Sequence, residues 1–207
     1  SPGPLEEHVT TFYAISPTPK DWSPERTETL YREYNDYMLL NLSVHEAMPG
    51  HYLQIAHANR YESDTPLRAI FSSGTFVEGW ATYAEELMVE AGFGGPELHL
   101  QQLKMRLRLI INAIIDQKIH TAGMTEAEAM EMMMVDGFQE EGEAAGKWRR
   151  AQLTSTQLST YLVGFLEVMA LREAAQAREG FDEKAFHDDL LAHGAPPPRL
   201  LATLLEP

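Results

Sequence analysis

Two histidines and a glutamate stand within seven residues in His45-Glu46-Ala47-Met48-Pro49-Gly50-His51. Imidazole nitrogens bind zinc, and a carboxylate beside them can move a proton, so the group points to metal-assisted hydrolysis. The usual helical form of such a motif spaces its histidines four apart, on one face. Here they are six apart, with a proline and a glycine between them. In a regular helix six residues turn through about 600°, which leaves the two rings about 120° apart. A bulge of two extra residues at Pro49-Gly50 would return His51 to the fourth-residue position. Proline lacks the donor a helix needs and glycine eases the detour, and bulges of this kind gather at functional sites. Without the detour, His45 and His51 are ordinary histidines on different faces, so the spacing leaves both readings open.

A catalytic zinc takes three protein ligands and one water. His45 and His51 would supply two nitrogens. Glu46 would not bind the metal; it would take the proton of the zinc-bound water as that water attacks a carbonyl. The candidate third ligand is Glu78, 27 residues after His51, room enough for a helix, a loop and the first turn of the next helix. Glu78 is also the fourth residue of the capping pattern Thr75-Phe76-Val77-Glu78, and could simply bind the Thr75 amide. Glu85, seven residues on and on nearly the same face, is the alternative ligand or a partner behind one. Glu86 points elsewhere. Trp80 and Tyr83 read as packing.

The elements that must position these groups read as helices. Residues 1–22, with prolines at 2, 4, 17 and 19, form an extended lead-in. Ser23-Pro24-Glu25 is a helix start: hydroxyl cap, proline in the first turn, acid at the positive dipole end. Its pattern continues through Leu30, Tyr34, Tyr37, Met38 and Asn41 into the histidine stretch and resumes from His51 to about Arg60. The loop YESDTP precedes a helix that stops near Gly92, and FGGPE is another loop. Leu98 to His120 is a long apolar helix broken by Gly123. Thr125-Glu126-Ala127-Glu128 is a capping box that opens a helix through Met134. Further helices cover about 138–151, Gln157 to Arg178, and Asp182 to His193, the last ended by Gly194 and Pro196-Pro197-Pro198. No alternating apolar run argues for a sheet. The predicted fold is all-α, with residues 23–207 forming one helical zinc-binding catalytic domain whose active-site helix is interrupted at Pro49-Gly50.

Composition narrows the function classes. At 207 residues and 44% hydrophobic content the chain can bury a substantial core. A net charge of −15, from 31 acidic and 16 basic residues, argues against a nucleic-acid backbone as partner and offers no basic tract to an anionic membrane. There is no cysteine, so a transition metal must be held by His, Asp and Glu, which suits zinc and some harder ions. No apolar run reaches the length of a membrane span. The N-terminal SPGPLEEHVT lacks a signal layout and an initiator methionine. It reads as an internal cut point, with a signal or a further domain expected upstream, so the compartment stays unassigned. The methionine run at 132–134 reads as a pliable core strip and QEEGE as a solvated face. His57 shares no regular face with His51. His8, His99, His187 and His193 read as surface or loop residues.

HEAMPGHYLQ followed by FVEGWATYAEEL resembles the bacterial family known as domain of unknown function 885, itself similar to the gluzincin peptidases, the group with thermolysin, thimet oligopeptidase and angiotensin-converting enzyme. The resemblance continues in IHTAGMTEAEA, RAQLTSTQLSTYLVG and FHDDLLAHGAPPPRLL, and covers nearly the whole chain from about residue 30. It implies His45, His51 and Glu78 as ligands to one zinc ion and Glu46 as general base. The family's later segment reads Arg, then Pro-Gly-Gln, then Tyr and Gly. Arg150, Gln157, Tyr161 and Gly164 match, while Ser155-Thr156 replace the Pro-Gly. By the resemblance, Tyr161, or else His120, would donate a hydrogen bond to the developing oxyanion. Tyr161 could equally be a core tyrosine, and His120 a residue that compensates a helix C-terminus. Arg150, with Gln157 beside it, would hold a substrate carboxylate, or Arg150 would pair with nearby glutamates. Family members are several hundred residues longer, so this chain looks like a C-terminal, metal-bearing part.

The expected activity is therefore zinc-dependent hydrolysis of peptide or small amide substrates in a gluzincin-like helical domain. The alternatives are a metal-binding domain without catalysis and a helical interaction module that holds no metal. A His2Glu set also accepts cobalt or manganese.

Overall fold

A computed structural model describes residues 6, 9–62, 65 and 67–205. Among the described residues every regular element is helical, which bears out the all-α expectation. In order these are α1 (Pro24–Glu33), α2 (Asp36–Glu46), α3 (His51–Ala58), α4 (Leu67–Ile70), α5 (Gly74–Glu90), α6 (Gly95–Thr121), α7 (Glu126–Glu131), a π-helix (Met132–Asp136), α8 (Glu141–Leu153), α9 (Ser159–Gln176), α10 (Glu183–Ala192) and α11 (Pro198–Leu201). Residues 9–19 carry no regular structure, and His8 lies outside the described residues.

Local chemistry explains most of the boundaries. The Ser23 hydroxyl caps α1 by accepting from the Arg26 amide. The predicted run from α1 into the histidines breaks at Asn35. Its side-chain oxygen accepts from the amides of Tyr37 and Met38 at 3.1 and 3.0 Å and starts α2 afresh. The Thr125–Glu128 capping box forms in both directions. After α5, Gly92 adopts φ +76°, a left-handed stop that glycine takes at little cost. The helix predicted to run through Met134 widens into the π-helix at the methionines. The last four-residue helix after the prolines was not anticipated from the sequence.

The chain forms two compact units. The first holds the described parts of residues 1–13, 43–87 and 163–207, and the second those of 14–42 and 88–162. The core of the first unit is built on Phe76, Trp80 and Tyr83 of α5, Phe165 and Val168 of α9, and Phe186, Leu190 and Leu191 of α10. Within it α5 and α9 touch backbone to backbone. A Cβ on Gly164 would lie 1.9 Å from the Thr75 carbonyl oxygen, and one on Gly79 would lie 2.4 Å from the Gly164 carbonyl carbon. Two mid-helix glycines, costly for helix propensity, are thus explained by close approach. The contact also fixes the depth of Glu78, the residue before Gly79.

The second unit packs Ile111 and Ile115 of α6 against Ala129, Met133, Ala144, Ala151 and Leu158. Of the methionine run, Met133 is fully in this core and Met132 packs against it, but Met134 is 38% exposed. Glu33 is wholly buried and charge-paired with Arg108 at 2.8 Å, while its other carboxylate oxygen accepts from the Glu140 amide at 3.0 Å. The acid-rich stretch is therefore not simply a solvated face. Gln139 is buried, and Glu143 accepts from the Tyr34 hydroxyl at 3.0 Å.

The turn before α9 shows what replacing Pro-Gly does. Thr156 sits at φ +67°, a left-handed conformation that a β-branched residue rarely adopts. It is held there by buried Asp116, whose carboxylate accepts from the amides of Thr156 and Ser159 at 3.1 and 3.0 Å and from the Ser159 hydroxyl at 2.8 Å. Thr156→Gly should therefore raise stability by about 0.5–1 kcal/mol, the relief of the left-handed Cβ outweighing glycine's entropy. Comparing the denaturation midpoints of the two proteins checks this.

Candidate metal centre

The interruption between the histidines is wider than a bulge. α2 ends at Glu46, residues 47–50 form a turn, and His51 is the first residue of α3. The Gly50 amide reaches back six residues to the Val44 carbonyl at 3.0 Å, and the Gln54 amide then takes the Gly50 carbonyl at 3.1 Å. The Met48–Pro49 peptide is cis. Gly50 is pressed so closely onto α2 that a Cβ would stand 1.9 Å from the His45 carbonyl oxygen. Trp80 pins the turn from α5: its indole N–H donates to the Pro49 carbonyl at 2.9 Å. Trp80 therefore packs, as expected, and also anchors the turn.

This turn brings the rings together. The imidazole centroids of His45 and His51 are 4.7 Å apart, edge to face. Glu78 Oε2 lies 3.6 Å from His45 Nε2 and 3.4 Å from His51 Nε2. The three side chains offer ligand atoms that all lie within 4.8 Å of one another. Donors bound tetrahedrally at zinc–nitrogen and zinc–oxygen lengths stand about 3.3 Å apart, close to the two Glu78 distances. Glu78 Oε2 is buried and makes no hydrogen bond. A buried carboxylate oxygen left in that state is costly, and a cation is what would satisfy it.

The electrostatics agree. Burial opposes a charge on His45, but Glu78 and Glu85 outweigh it and carry its pKa up to about 10. Burial pushes Glu78 up, yet the imidazoles of His45 and His51 outweigh that and draw it down to about 2. His45 and Glu78 thus favour a positive charge held between them. A proton can be that charge, and a divalent cation fits the same place.

Glu85 meets the other nitrogen of His45. Its Oε1 stands 2.7 Å from His45 Nδ1, a contact that suits an Nδ1–H donating to the carboxylate and leaves Nε2 as the atom facing Glu78, able to offer a lone pair to a cation. Glu85→Ala should weaken zinc affinity by about 10–100-fold without abolishing it, measured by competition with a chromophoric chelator. His51 Nδ1 is buried with no hydrogen-bond partner. The Thr75 capping box does not form. α5 already begins at Gly74, and the Phe76 and Val77 amides take the Ser73 carbonyl, each at 3.0 Å. Glu78 is thereby free of the capping role and faces the two imidazoles. Glu46, the last residue of α2, is exposed and lines one cleft with His51 and Glu78.

The other candidates belong to the second unit. There Arg150 donates to Gln157 Oε1 at 2.6 Å and to the Tyr161 hydroxyl at 3.4 Å, so these three form one hydrogen-bonded group and Arg150 needs no glutamate partner there. His120 Nε2 faces the carbonyls of Ala151 and Thr154 at 3.0 and 2.8 Å, tying the end of α6 to the end of α8. His99 is exposed, as read. His187 is not a free surface residue. It sits half-buried on α10 with Nε2 2.7 Å from the Tyr83 hydroxyl, and its ring packs on Trp80. Nothing in its local sequence reveals this, because both partners come from α5.

Among the described residues no helix is long and apolar enough to cross a membrane. The family profile described as "Bacterial protein of unknown function (DUF885)" matches residues 1–205. No curated protein matches the chain. Solved structures resemble it, two candidate lipoproteins among them. A candidate lipoprotein of unknown function from Shewanella oneidensis is 41% identical, with a TM-score of 0.88 over 99% of this chain and 38% of its own. A candidate lipoprotein from Colwellia psychrerythraea is 32% identical, with a TM-score of 0.76 over 81% of this chain and 29% of its own. The chain thus spans well under half the length of either. With the HEAMPGH and FVEGW segments joined in one site and the family profile matched almost end to end, the chain belongs to the bacterial DUF885 family.

Proposed function

We propose that this chain carries the metal centre of a zinc-dependent hydrolase that cleaves peptide bonds, with a gluzincin-like arrangement of ligands. The observation that supports it is the convergence of His45, His51 and Glu78 at ligand spacing around a buried carboxylate oxygen with no hydrogen bond. Zinc, when bound there, supplies a Lewis acid that polarises a carbonyl and makes a water acidic enough to attack it. Glu46 is the group that takes a proton from the attacking water and returns it to the leaving amine. It is exposed, ionisable and outside the ligand set. Glu85 holds His45 in the tautomer that presents Nε2. Gly50 and Trp80 hold the turn that sets the two rings face to edge.

Two further roles, spread over four residues, rest on the family resemblance. Tyr161 or His120 would donate to the oxyanion, and Arg150 and Gln157 would bind substrate. The test is hydrolysis of unstructured peptides by protein stripped of metal and reloaded with zinc. Activity should vanish on stripping and return at one zinc per chain. Zinc bound at that ratio with no hydrolysis of any peptide would leave a metal-binding domain and overturn the enzyme reading.

A further inference from the structure

The cleft beside the metal centre has a volume of about 340 Å³ and lies within the first unit. Part of its lining is polar, contributed by Glu46, His51 and Glu78. The remainder is walled chiefly by Phe12, Tyr13, Tyr52, Ile55 and Val77. The aromatic walls are open to solvent: Phe12 is 82% exposed, Tyr13 46% and Tyr52 42%. Apolar surface of this kind beside reactive polar groups marks a place where a ligand buries it. The wall is also tied to the metal ligands by covalent adjacency. Tyr52 follows His51 on α3, Ile55 lies three residues on along the same face, and Val77 precedes Glu78 on α5. Whatever seats against these side chains is therefore held next to the groups that would do the chemistry.

Charge narrows the occupant. No lysine or arginine lines this cleft, while Glu46 and Glu78 do. With Glu78 committed to the zinc, an acidic side chain would still meet Glu46 and find no basic side chain to pair with, whereas a large apolar one would cover the exposed rings.

Resting on the hydrolase reading, we propose that this cleft is the pocket for the substrate side chain flanking the scissile bond, and that it selects aromatic and large aliphatic side chains over acidic ones. The probes are blocked alanine hexapeptides carrying a single Phe, Leu or Glu at each position in turn. Zinc-loaded protein should cut beside Phe or Leu, with kcat/KM at least about tenfold above the all-alanine peptide and lowest for Glu. Phe12→Ala and Tyr52→Ala, both at exposed positions where folding is not at stake, should shrink the Phe-to-alanine ratio several-fold. The preference for Phe and Leu over alanine should appear also in binding of fluorescently labelled peptides to the zinc-loaded Glu46→Gln protein, with the penalty on Glu reduced. Hydrolysis without side-chain preference, or a preference unchanged in both variants, overturns the pocket and leaves the hydrolase reading standing. Preferential binding of Phe peptides without hydrolysis by the native protein supports the pocket and sinks the hydrolase reading instead.

Discussion

Glu46→Gln is expected to lower peptide hydrolysis by about 10²–10⁴-fold, the usual worth of a positioned general base, while zinc stays bound at the native ratio. The side chain keeps its shape and its place on the cleft but can no longer accept a proton. The metal ligands are untouched, because Glu46 stands outside the group of His45, His51 and Glu78. Its exposure also makes a folding effect small: surface substitutions away from special features stay within about 0.5 kcal/mol. Metal content by mass spectrometry and steady-state kinetics on the same preparation check both halves. Retained activity would remove Glu46 from the mechanism. Loss of zinc together with activity would make it a ligand or a structural residue.

Gly50→Ala should cost at least about 3 kcal/mol, above the ordinary range for overpacking by one methyl, and should lower zinc affinity more than a hundredfold. The added carbon would fall 1.9 Å from the His45 carbonyl oxygen and 2.4 Å from that of Val44. Both are backbone atoms of the helix that carries the first ligand, so relief requires the turn or the end of α2 to move. Either movement separates the two rings and loosens the hold of Trp80 on the Pro49 carbonyl. Gly146→Ala is the matched control. It lies inside α8, a Cβ there meets nothing within 4 Å, and alanine should stabilise that helix slightly. Thermal unfolding and zinc titration of both variants check the contrast. Native-like zinc binding by Gly50→Ala would show that the turn does not set the ligand geometry.

Much of this site was legible because its signals are local. His45 and His51 flank residues that cannot continue a helix, and the interruption they predict is present, though as a full turn between two helices instead of a bulge within one. Ser23, Thr125 with Glu128, Gly92 and Gly123 mark helix ends by side-chain or backbone chemistry that acts over three or four residues. What stayed hidden depends on partners distant in the chain. Glu78 fitted a capping box as well as a ligand, and only the start of α5 at Gly74, two residues earlier than the box implies, removes the capping role. Glu85 lies against His45 Nδ1, a contact between two helices that its own stretch of sequence does not show. His187 looked like surface because Tyr83 and Trp80 are supplied by another helix. Asn35 broke a helix whose apolar period runs on unbroken, since a side chain that competes for backbone amides leaves no mark in hydrophobicity. The two units are discontinuous in sequence, and no linker composition marks where the chain passes between them.

The measurement closest to the centre of this reading is anomalous diffraction at the zinc edge from crystals grown with stoichiometric zinc. The result expected is a single strong peak about 2.0–2.2 Å from His45 Nε2, His51 Nε2 and a Glu78 carboxylate oxygen. Full zinc loading with the peak elsewhere, or these three side chains parted with no ion between them, would contradict it.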